Sequence, residues 1–178
     1  AETGPIKFGF IGPLTGDFSS TGTVNKAAVE VAAEEVNVAG GVNGRQLEVI
    51  YEDGQCNAKT AINAASKLIN IDKVSVILGG TCSSETAAFA QMAMEKKVIV
   101  FSHGSSAPSL SKTGKYFFRS YPSDAFQGKF AAEYAYNTLG ARKVAVLYHI
   151  SEWGTGIKDV FEQNFKAIGG EIVGEEGA

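Results

Sequence analysis

Short apolar runs alternate with amphipathic stretches along most of the chain. Runs rich in Val, Ile, Leu and Phe, bounded by Gly, Pro or polar residues, are typical of buried strands. Apolar residues at every third or fourth position are typical of helices. The first part of the sequence predicts strands at 6–11, 46–52, 74–78, 98–101 and 116–118. Strands interleaved with helices in this way predict an α/β fold with a doubly wound parallel sheet.

Three helices are predicted between these strands, at 23–39, after Asn57 and at 85–95. Asn is a preferred helix N-cap, so Asn57 is expected to cap the second helix. The apolar residues of the first helix share one face, formed by Val24, Ala28, Val31 and Ala32.

The pattern restarts beyond Arg119. Ser123 and Asp124 are predicted to cap a helix whose apolar residues are Phe126, Phe130, Ala131, Tyr134 and Leu139. A strand at 143–148, a turn at 149–156, a helix and a strand beginning at Glu171 follow. We predict a first α/β lobe over residues 1–121, lacking its return segment, and the beginning of a second, similar lobe over 122–178. Exposed strand edges would then favour a dimer or a companion chain.

Small polar residues, most of them with hydroxyl groups, follow two consecutive strands of the first lobe: Cys82, Ser83, Ser84 and Thr86 after one, Ser102, Ser105 and Ser106 after the next. Turns at the carboxyl ends of parallel strands form the ligand crevice of such sheets. Ser83 or Ser84 stands where a helix N-cap belongs, and a helix N-terminus favours an anion such as a carboxylate. The alternative is that these serines only cap the helix. Two such turns side by side favour a small, polar, anionic ligand group.

A third turn of this kind runs from Gly12 through Thr21 to Gly22. Its glycines do not match the GxGxxG dinucleotide fingerprint, so the sequence predicts no cofactor there.

The two cysteines, Cys56 and Cys82, each follow the end of a predicted strand. If both strands belong to one parallel sheet, the thiols lie at the same edge and can form a disulfide, which would contribute about 3 kcal/mol and indicate an oxidising compartment. The alternative is two free thiols in a cytosolic protein, for which the spacing provides no zinc or CxxC motif.

Composition excludes several classes of function. The chain has 178 residues, 44% of them hydrophobic and 20% charged, which is typical of a globular protein rather than a disordered one. A net charge of -3 and the lack of a basic cluster with interleaved aromatics argue against nucleic-acid binding. The amino terminus, AETGPIK, fits either a cytosolic start without Met or, better, the end left by signal-peptide removal.

No residue set predicts catalysis or a metal. His103 and His149 lack a carboxylate at ligand spacing, and nothing matches GxSxG or a nucleophile with its base. Glu85, in the first turn of its helix, is expected to interact with the helix dipole. Trp153, in the turn after strand 143–148, either packs under its own loop or covers the apolar part of a ligand. The sequence therefore predicts a recognition site without chemistry.

With these turns identified, the sequence resembles the periplasmic solute-binding proteins of ABC transporters that take up branched-chain and related amino acids. The resemblance extends across nearly the whole chain but covers only about the first half of the family's length. It rests on GPLTG at 12–16, NVAGGVNG at 37–44, the cysteine pair, CSSE at 82–85, SHGSSAP at 102–108, Phe118 with Arg119, and Asp124 with Gln127 and Gly128.

The resemblance implies a type I periplasmic-binding-protein lobe and a two-lobe clamshell. It implies that Ser83, Gly104 and Ser106, with the neighbouring Ser84 and Ser105, hold the carboxylate and ammonium of an amino acid. It further implies that Trp153 covers the ligand from the other lobe and that Cys56 and Cys82 are bridged. Two departures bear on ligand preference. The family usually has a tyrosine where this chain has Thr21, and His103 with Gly104 replace a Pro-Ala pair.

These observations favour a periplasmic or otherwise secreted, non-catalytic receptor for an amino acid or similar small carboxylate, which delivers its ligand to an ABC transporter permease. One alternative is a ligand-sensing domain of a regulator or receptor with the same lobes. Another is a flavodoxin-like cofactor-binding enzyme domain, which the sequence disfavours because its turns carry no phosphate fingerprint.

Overall fold

The structure is a computed structural model that describes residues 4–178. Residues 1–3, on which the expectation of a processed amino terminus partly rests, lie outside the described residues. The described chain divides into a first unit, residues 4–105 with 113–120, and a second unit, residues 106–112 with 121–178. The segment 106–112 precedes the predicted lobe boundary near residue 121 and belongs to the second unit.

Five strands and three helices make up the first unit. In chain order they are β1 Ile6–Gly12, α1 Ser19–Val38, β2 Leu47–Asp53, α2 Ala58–Asn70, β3 Val76–Gly79, α3 Ser83–Lys96, β4 Ile99–Ser102 and β5 Phe117–Arg119. The strands form one sheet in the order β2-β1-β3-β4-β5, and every neighbouring pair is parallel. The predicted doubly wound α/β sheet is confirmed.

The strand order explains which helix lies on which face. Parallel crossovers are right-handed, so a connection that moves to the left of β1 and one that moves to the right place their helices on opposite faces. Helix α1 packs on β1 and β2, whereas α2 and α3 pack together on the other face. Asn57 caps α2 as predicted, because its side chain accepts the amide hydrogens of Lys59 and Thr60.

The main core lies between the sheet and the α2/α3 layer. Leu68 of α2 and Phe89 of α3 are fully buried there against Ile77 and Val100 of the two central strands. Gly9 of β1 adjoins Leu68, since a Cβ atom at Gly9 would lie 2.7 Å from the Leu68 Cδ1 atom. Apolar burial on this face is the principal source of stability in the unit.

The opposite face is only partly covered. Phe101 of β4 and Phe118 of β5 are exposed there, and a groove of about 330 Å³ runs between α1 and the strands, lined by Ala28, Leu78 and Phe101 among others. Val24 and Val31, which belong to the apolar face that the sequence shows on α1, are also exposed.

The second unit contains a shorter set of elements: the 3₁₀ turn Pro108–Lys112, α4 Ala125–Glu133, the π-helical turn Tyr134–Thr138, β6 Lys143–Tyr148, α5 Glu152–Ala167 and β7 Glu171–Gly177. Strands β6 and β7 pair in parallel. Helix α4 packs on α5 through Gly128, where a Cβ atom would lie 2.9 Å from the Val160 side chain. Small residues allow this close approach, while Phe126 and Phe130 on the predicted apolar face are exposed.

Several predicted boundaries were wrong. Helix α1 begins at Ser19, so Thr21 lies in its first turn rather than in a loop. The N-cap of α3 is Cys82 and not Ser83 or Ser84. Helix α5 begins at Glu152, so Trp153 is helical. In each case polar and small residues that resemble a turn form the first helical turn instead, where Ser, Thr and Glu are well tolerated.

Candidate functional site

The turns at the carboxyl ends of the strands, here called the rim, are the candidate site of the first unit. They comprise residues 13–18, 54–57, 80–82 and 103–105, after β1, β2, β3 and β4. The strand order reverses direction between β1 and β3, which is where open α/β sheets bind ligands.

Asp53 fastens the turn after β1 to the end of β2. Its Oδ1 atom accepts the Leu14 amide hydrogen at 2.8 Å, and its Oδ2 atom accepts the Thr15 hydroxyl. Partial burial alone would raise the pKa of the Asp53 carboxyl, but the hydrogen bonds from Thr15, Leu14 and Gln55 hold that pKa below its usual value. Asp53 is therefore an ionised tether of the rim.

Glu85 fastens the turn after β2 to the turn after β3. The side chain is fully buried, its Oε1 atom accepts the Cys56 amide hydrogen, and its Oε2 atom accepts the Cys82 amide hydrogen, each at 3.0 Å. Burial raises the pKa of the Glu85 carboxyl, and these amide donors partly oppose the rise. Its position in the first turn of α3 agrees with the expected interaction with the helix terminus.

The predicted bridge between Cys56 and Cys82 is present, with the two Cα atoms 5.3 Å apart. The two sulfur atoms and the Glu85 carboxylate lie within 4.8 Å of one another. The sulfurs are bonded to each other, so they offer no thiolate ligands to a metal in this state.

The Gly80 carbonyl gathers hydroxyl groups from the neighbouring turns. It accepts the Ser102 hydroxyl at 2.7 Å and the Ser105 hydroxyl at 2.9 Å, and the Ser105 Oγ atom also lies 2.7 Å from the Thr86 Oγ1 atom. These buried hydroxyls join the turn after β4 to the turn after β3. The Ser105 side chain is thus buried and hydrogen-bonded within the protein.

Ser83 and Ser84 are the first two residues of α3, next to the bridged Cys82. Ser83 is buried and Ser84 is half-buried. The first amide groups of an α-helix have no acceptor within the helix, so this turn is suited to a carboxylate.

Gly104 lies beside the same turn. A Cβ atom at Gly104 would be 2.7 Å from the Thr81 carbonyl oxygen, so the absence of a side chain lets the turn after β4 approach the turn after β3. The structure therefore brings Ser83, Ser84, Gly104 and Ser105 onto two adjoining turns, while Thr21 is exposed on α1.

A small polar network here contains His103, which the sequence analysis considered, and two residues that it did not, Thr81 and Asn25. The Thr81 Oγ1 atom lies 3.3 Å from the His103 Nε2 atom and accepts a long hydrogen bond from the Asn25 amide at 3.4 Å. Burial lowers the pKa of His103, which favours the neutral imidazole. Thr81 lies two residues after the end of β3 and could have been found from that position, but Asn25 reaches the site only through the packing of α1.

In the second unit, Ser106 and Asp124 form a buried pair. The Ser106 hydroxyl donates to the Asp124 Oδ2 atom at 2.5 Å, and the Asp124 amide donates to the Ser106 carbonyl at 2.9 Å. The predicted capping role of the Asp124 side chain was wrong, because its carboxylate makes no cap hydrogen bond and binds Ser106 instead.

Trp153 lies in the first turn of α5 and is 45% exposed. It lines a groove of about 390 Å³ together with Tyr148, His149 and Phe161 of the same unit. The Ser151 side chain accepts the Gly154 amide hydrogen and fixes the start of this helix.

A family model described as periplasmic binding protein matches residues 5–178. The chain belongs to the periplasmic binding protein family. This is a family of solute-binding proteins and not of enzymes.

Individual periplasmic binding proteins show the same likeness. The leucine-, isoleucine-, valine-, threonine- and alanine-binding protein of Pseudomonas aeruginosa is 31% identical over 97% of this chain and 46% of its own length. The leucine binding protein LivK of Thermotoga maritima has a TM-score of 0.86 and 29% identity, over 97% of this chain and 49% of that chain.

A third similar protein was solved with an aromatic acid. The ABC transporter solute binding protein of Rhodopseudomonas palustris, in complex with 3,4-dihydroxybenzoic acid, has a TM-score of 0.83 and 28% identity, over 97% of this chain and 47% of that chain. The chain spans about half the length of the relatives it matches. Within residues 4–178, none of the helices combines the length and apolarity needed to cross a membrane.

Proposed function

We propose that the chain is part of an extracytoplasmic receptor that binds an amino acid or a similar small carboxylate and delivers it to an ABC importer. Two lobes would close around the ligand, as two packed bodies joined by a hinge can do. The observation that carries the proposal is the close approach of the turns after β3 and β4, where Gly104 adjoins the Thr81 carbonyl and α3 begins at Ser83.

The first of these turns suits a carboxylate. The amino end of α3 provides amide groups and the positive end of the helix dipole, and the Ser83 and Ser84 hydroxyls can donate hydrogen bonds. Neutral donors of this kind can satisfy a carboxylate without placing a second charge in the site.

The Ser106 and Asp124 pair suits an ammonium group. A hydroxyl that donates its hydrogen to a carboxylate presents oxygen lone pairs to other partners. We propose that the Asp124 carboxylate of this pair gives the second unit an affinity for a positively charged ligand group.

The ligands named for similar proteins differ in whether they carry an ammonium group. Branched-chain amino acids carry a carboxylate and an ammonium group, whereas 3,4-dihydroxybenzoic acid carries only the carboxylate. The shared group is the carboxylate, and we propose that Ser83 and its helix terminus recognise it in either case.

The disulfide supports a location outside the cytoplasm. Bridges of this kind persist in the periplasm and outside the cell. We therefore propose a periplasmic or otherwise secreted location, with an ABC permease as the partner.

Calorimetric titration of the full-length protein tests the site. Isoleucine and 3,4-dihydroxybenzoate are titrated separately into the parent protein and into the Ser83→Ala variant. Loss of one hydrogen bond to a charged group should weaken binding by about 1 to 3 kcal/mol, with little change in unfolding.

The matched control is Ser75→Ala, an exposed serine that precedes β3 at the opposite edge of the sheet. It should leave the affinity unchanged. An unaltered affinity in Ser83→Ala would remove this turn from the site, and failure of the parent protein to bind either compound would contradict the proposed ligand class.

A further inference from the structure

We propose that Glu85 is a positioning residue that keeps Cys56 and Cys82 paired whether or not the disulfide is closed, and so fixes the turn that presents Ser83. The last clause rests on the proposed function; the pairing of the cysteines does not.

The geometry of the carboxylate carries the first step. Its two oxygens accept from two different segments, Oε1 from the Cys56 amide and Oε2 from the Cys82 amide, both at 3.0 Å. The same two residues carry the sulfur atoms, and their Cα atoms are 5.3 Å apart. One pair of backbone positions is therefore held by two separate links, one covalent and one through hydrogen bonds.

Two glycines make room for this arrangement. A Cβ atom at Gly80 would lie 2.6 Å from the Glu85 Cβ atom and 2.9 Å from its Oε2 atom, and a Cβ atom at Gly54 would collide with Oε1. The carboxylate is thus enclosed by the two turns that it joins. A fully buried carboxylate without such donors would be strongly unfavourable, so both hydrogen bonds are needed for this packing.

Reduction tests whether the second link acts alone. Two glutathione molecules are oxidised to glutathione disulfide while the Cys56–Cys82 bond is cleaved and each sulfur gains a hydrogen. The Glu85 hydrogen bonds do not involve sulfur and can persist in the dithiol. The thiols would then remain close together, which raises their effective concentration toward each other and favours closure of the bridge.

The substitution Glu85→Gln removes half of the link. A carboxamide has one acceptor oxygen, and its NH₂ group would face at least one of the backbone amide donors, which are those of Cys56, Cys82 and Thr81. The dithiol should separate more readily, so the equilibrium constant for bridge formation against glutathione should fall by about tenfold. The equilibrium is measured, and not the rate, because removing the negative charge also changes thiolate reactivity.

Glu162→Gln is the matched control. Glu162 is the other buried glutamate among the described residues, 8% exposed, and it pairs with Lys166 in the second unit. Its loss should not alter the glutathione equilibrium. Equal equilibrium constants for the parent and Glu85→Gln would overturn the proposal.

Hydrogen exchange on the unmodified chain gives a second measurement that does not depend on how a variant folds. After reduction, the Cys56 and Cys82 amide hydrogens should exchange within about threefold of their rates in the oxidised chain, because Glu85 still accepts them. Loss of protection at both amides on reduction would contradict the proposal.

The effect of Glu85→Gln on ligand binding is measured separately from its effect on the disulfide. Glu85→Gln should also weaken carboxylate binding in the full-length protein, through misplacement of the α3 amino end. If the parent binds no carboxylate, the proposed function fails while the redox result stands; if Glu85→Gln binds normally, the redox role stands without the positioning of Ser83.

Discussion

The two faces of the five-stranded sheet are built from the same strands but are covered very differently. On the face of α2 and α3, Ile77 and Val100 are fully buried. On the face of α1, Phe101 and Phe118, from the neighbouring register positions of β4 and β5, are exposed. Parallel sheets are normally covered on both sides, so the apolar residues of the second face need a partner.

The difference follows from the path of the chain. Only the connection from β1 to β2 moves toward that edge, so only α1 is placed on the second face. The strands are apolar on both faces of the sheet. Their sequence patterns therefore do not reveal which face is covered by helices of this chain. A buried parallel strand therefore indicates that both faces of its sheet need to be covered. The order of the strands decides which helices cover each face.

The largest expected difference in stability comes from removing a phenylalanine side chain from each of the two faces. Phe89 is fully buried in the α2/α3 layer, and Phe101 is 41% exposed on the other face. Phe89→Ala should lower the free energy of unfolding by about 3 to 5 kcal/mol because it leaves a cavity, whereas Phe101→Ala should cost less than about 1 kcal/mol. Urea unfolding of both variants measures the contrast, and equal losses would mean that the two faces are equally packed.

A smaller effect is expected from adding volume to the covered face. Gly9→Val would place a branched side chain against Leu68, where a Cβ atom alone is 2.7 Å from Cδ1. Overpacking should cost about 1 to 3 kcal/mol of unfolding free energy. The control is Ile99→Val on the exposed face, which should change stability by less than about 0.5 kcal/mol. A neutral Gly9→Val would show that α2 can shift away from β1.

The smallest expected effect concerns association of the 178-residue chain. The exposed face and open strand edges should cause it to form a dimer or bind a companion chain. Phe101→Asp should weaken self-association by about tenfold, since a charge would be desolvated in the interface, as measured by sedimentation equilibrium. Ile71→Asp, at an exposed apolar residue at the end of α2, should have no effect. A monodisperse monomer at micromolar concentration would contradict the expectation.

Local signals in the sequence were sufficient for much of the fold. The short apolar runs predicted all five strands of the first sheet, and Asn57 was placed correctly as a cap because capping depends on neighbouring residues alone. The bridge between Cys56 and Cys82 was expected from their positions after two strands of one sheet.

Features that depend on packing could not be predicted in the same way. Asp124 stands at the N-cap position of α4 as predicted, but its carboxylate accepts from Ser106, a residue distant in sequence, and does not cap the helix. The hydrogen bond from the Ser105 hydroxyl to the Gly80 carbonyl joins residues 25 positions apart and was likewise not evident from the sequence. Small polar residues at strand ends can bind either a ligand or a neighbouring turn, and only the tertiary structure distinguishes these roles.

The hydrogen bonds that join the turns of the rim also affect which positions of the sequence can vary. Asp53, Glu85 and Ser105 each connect one turn to the next through hydrogen bonds of their side chains. Positions such as Thr21 lie outside this set of ties. Substitutions at such positions leave the three ties intact, so the sequence can vary there while the tethered turns keep their shape.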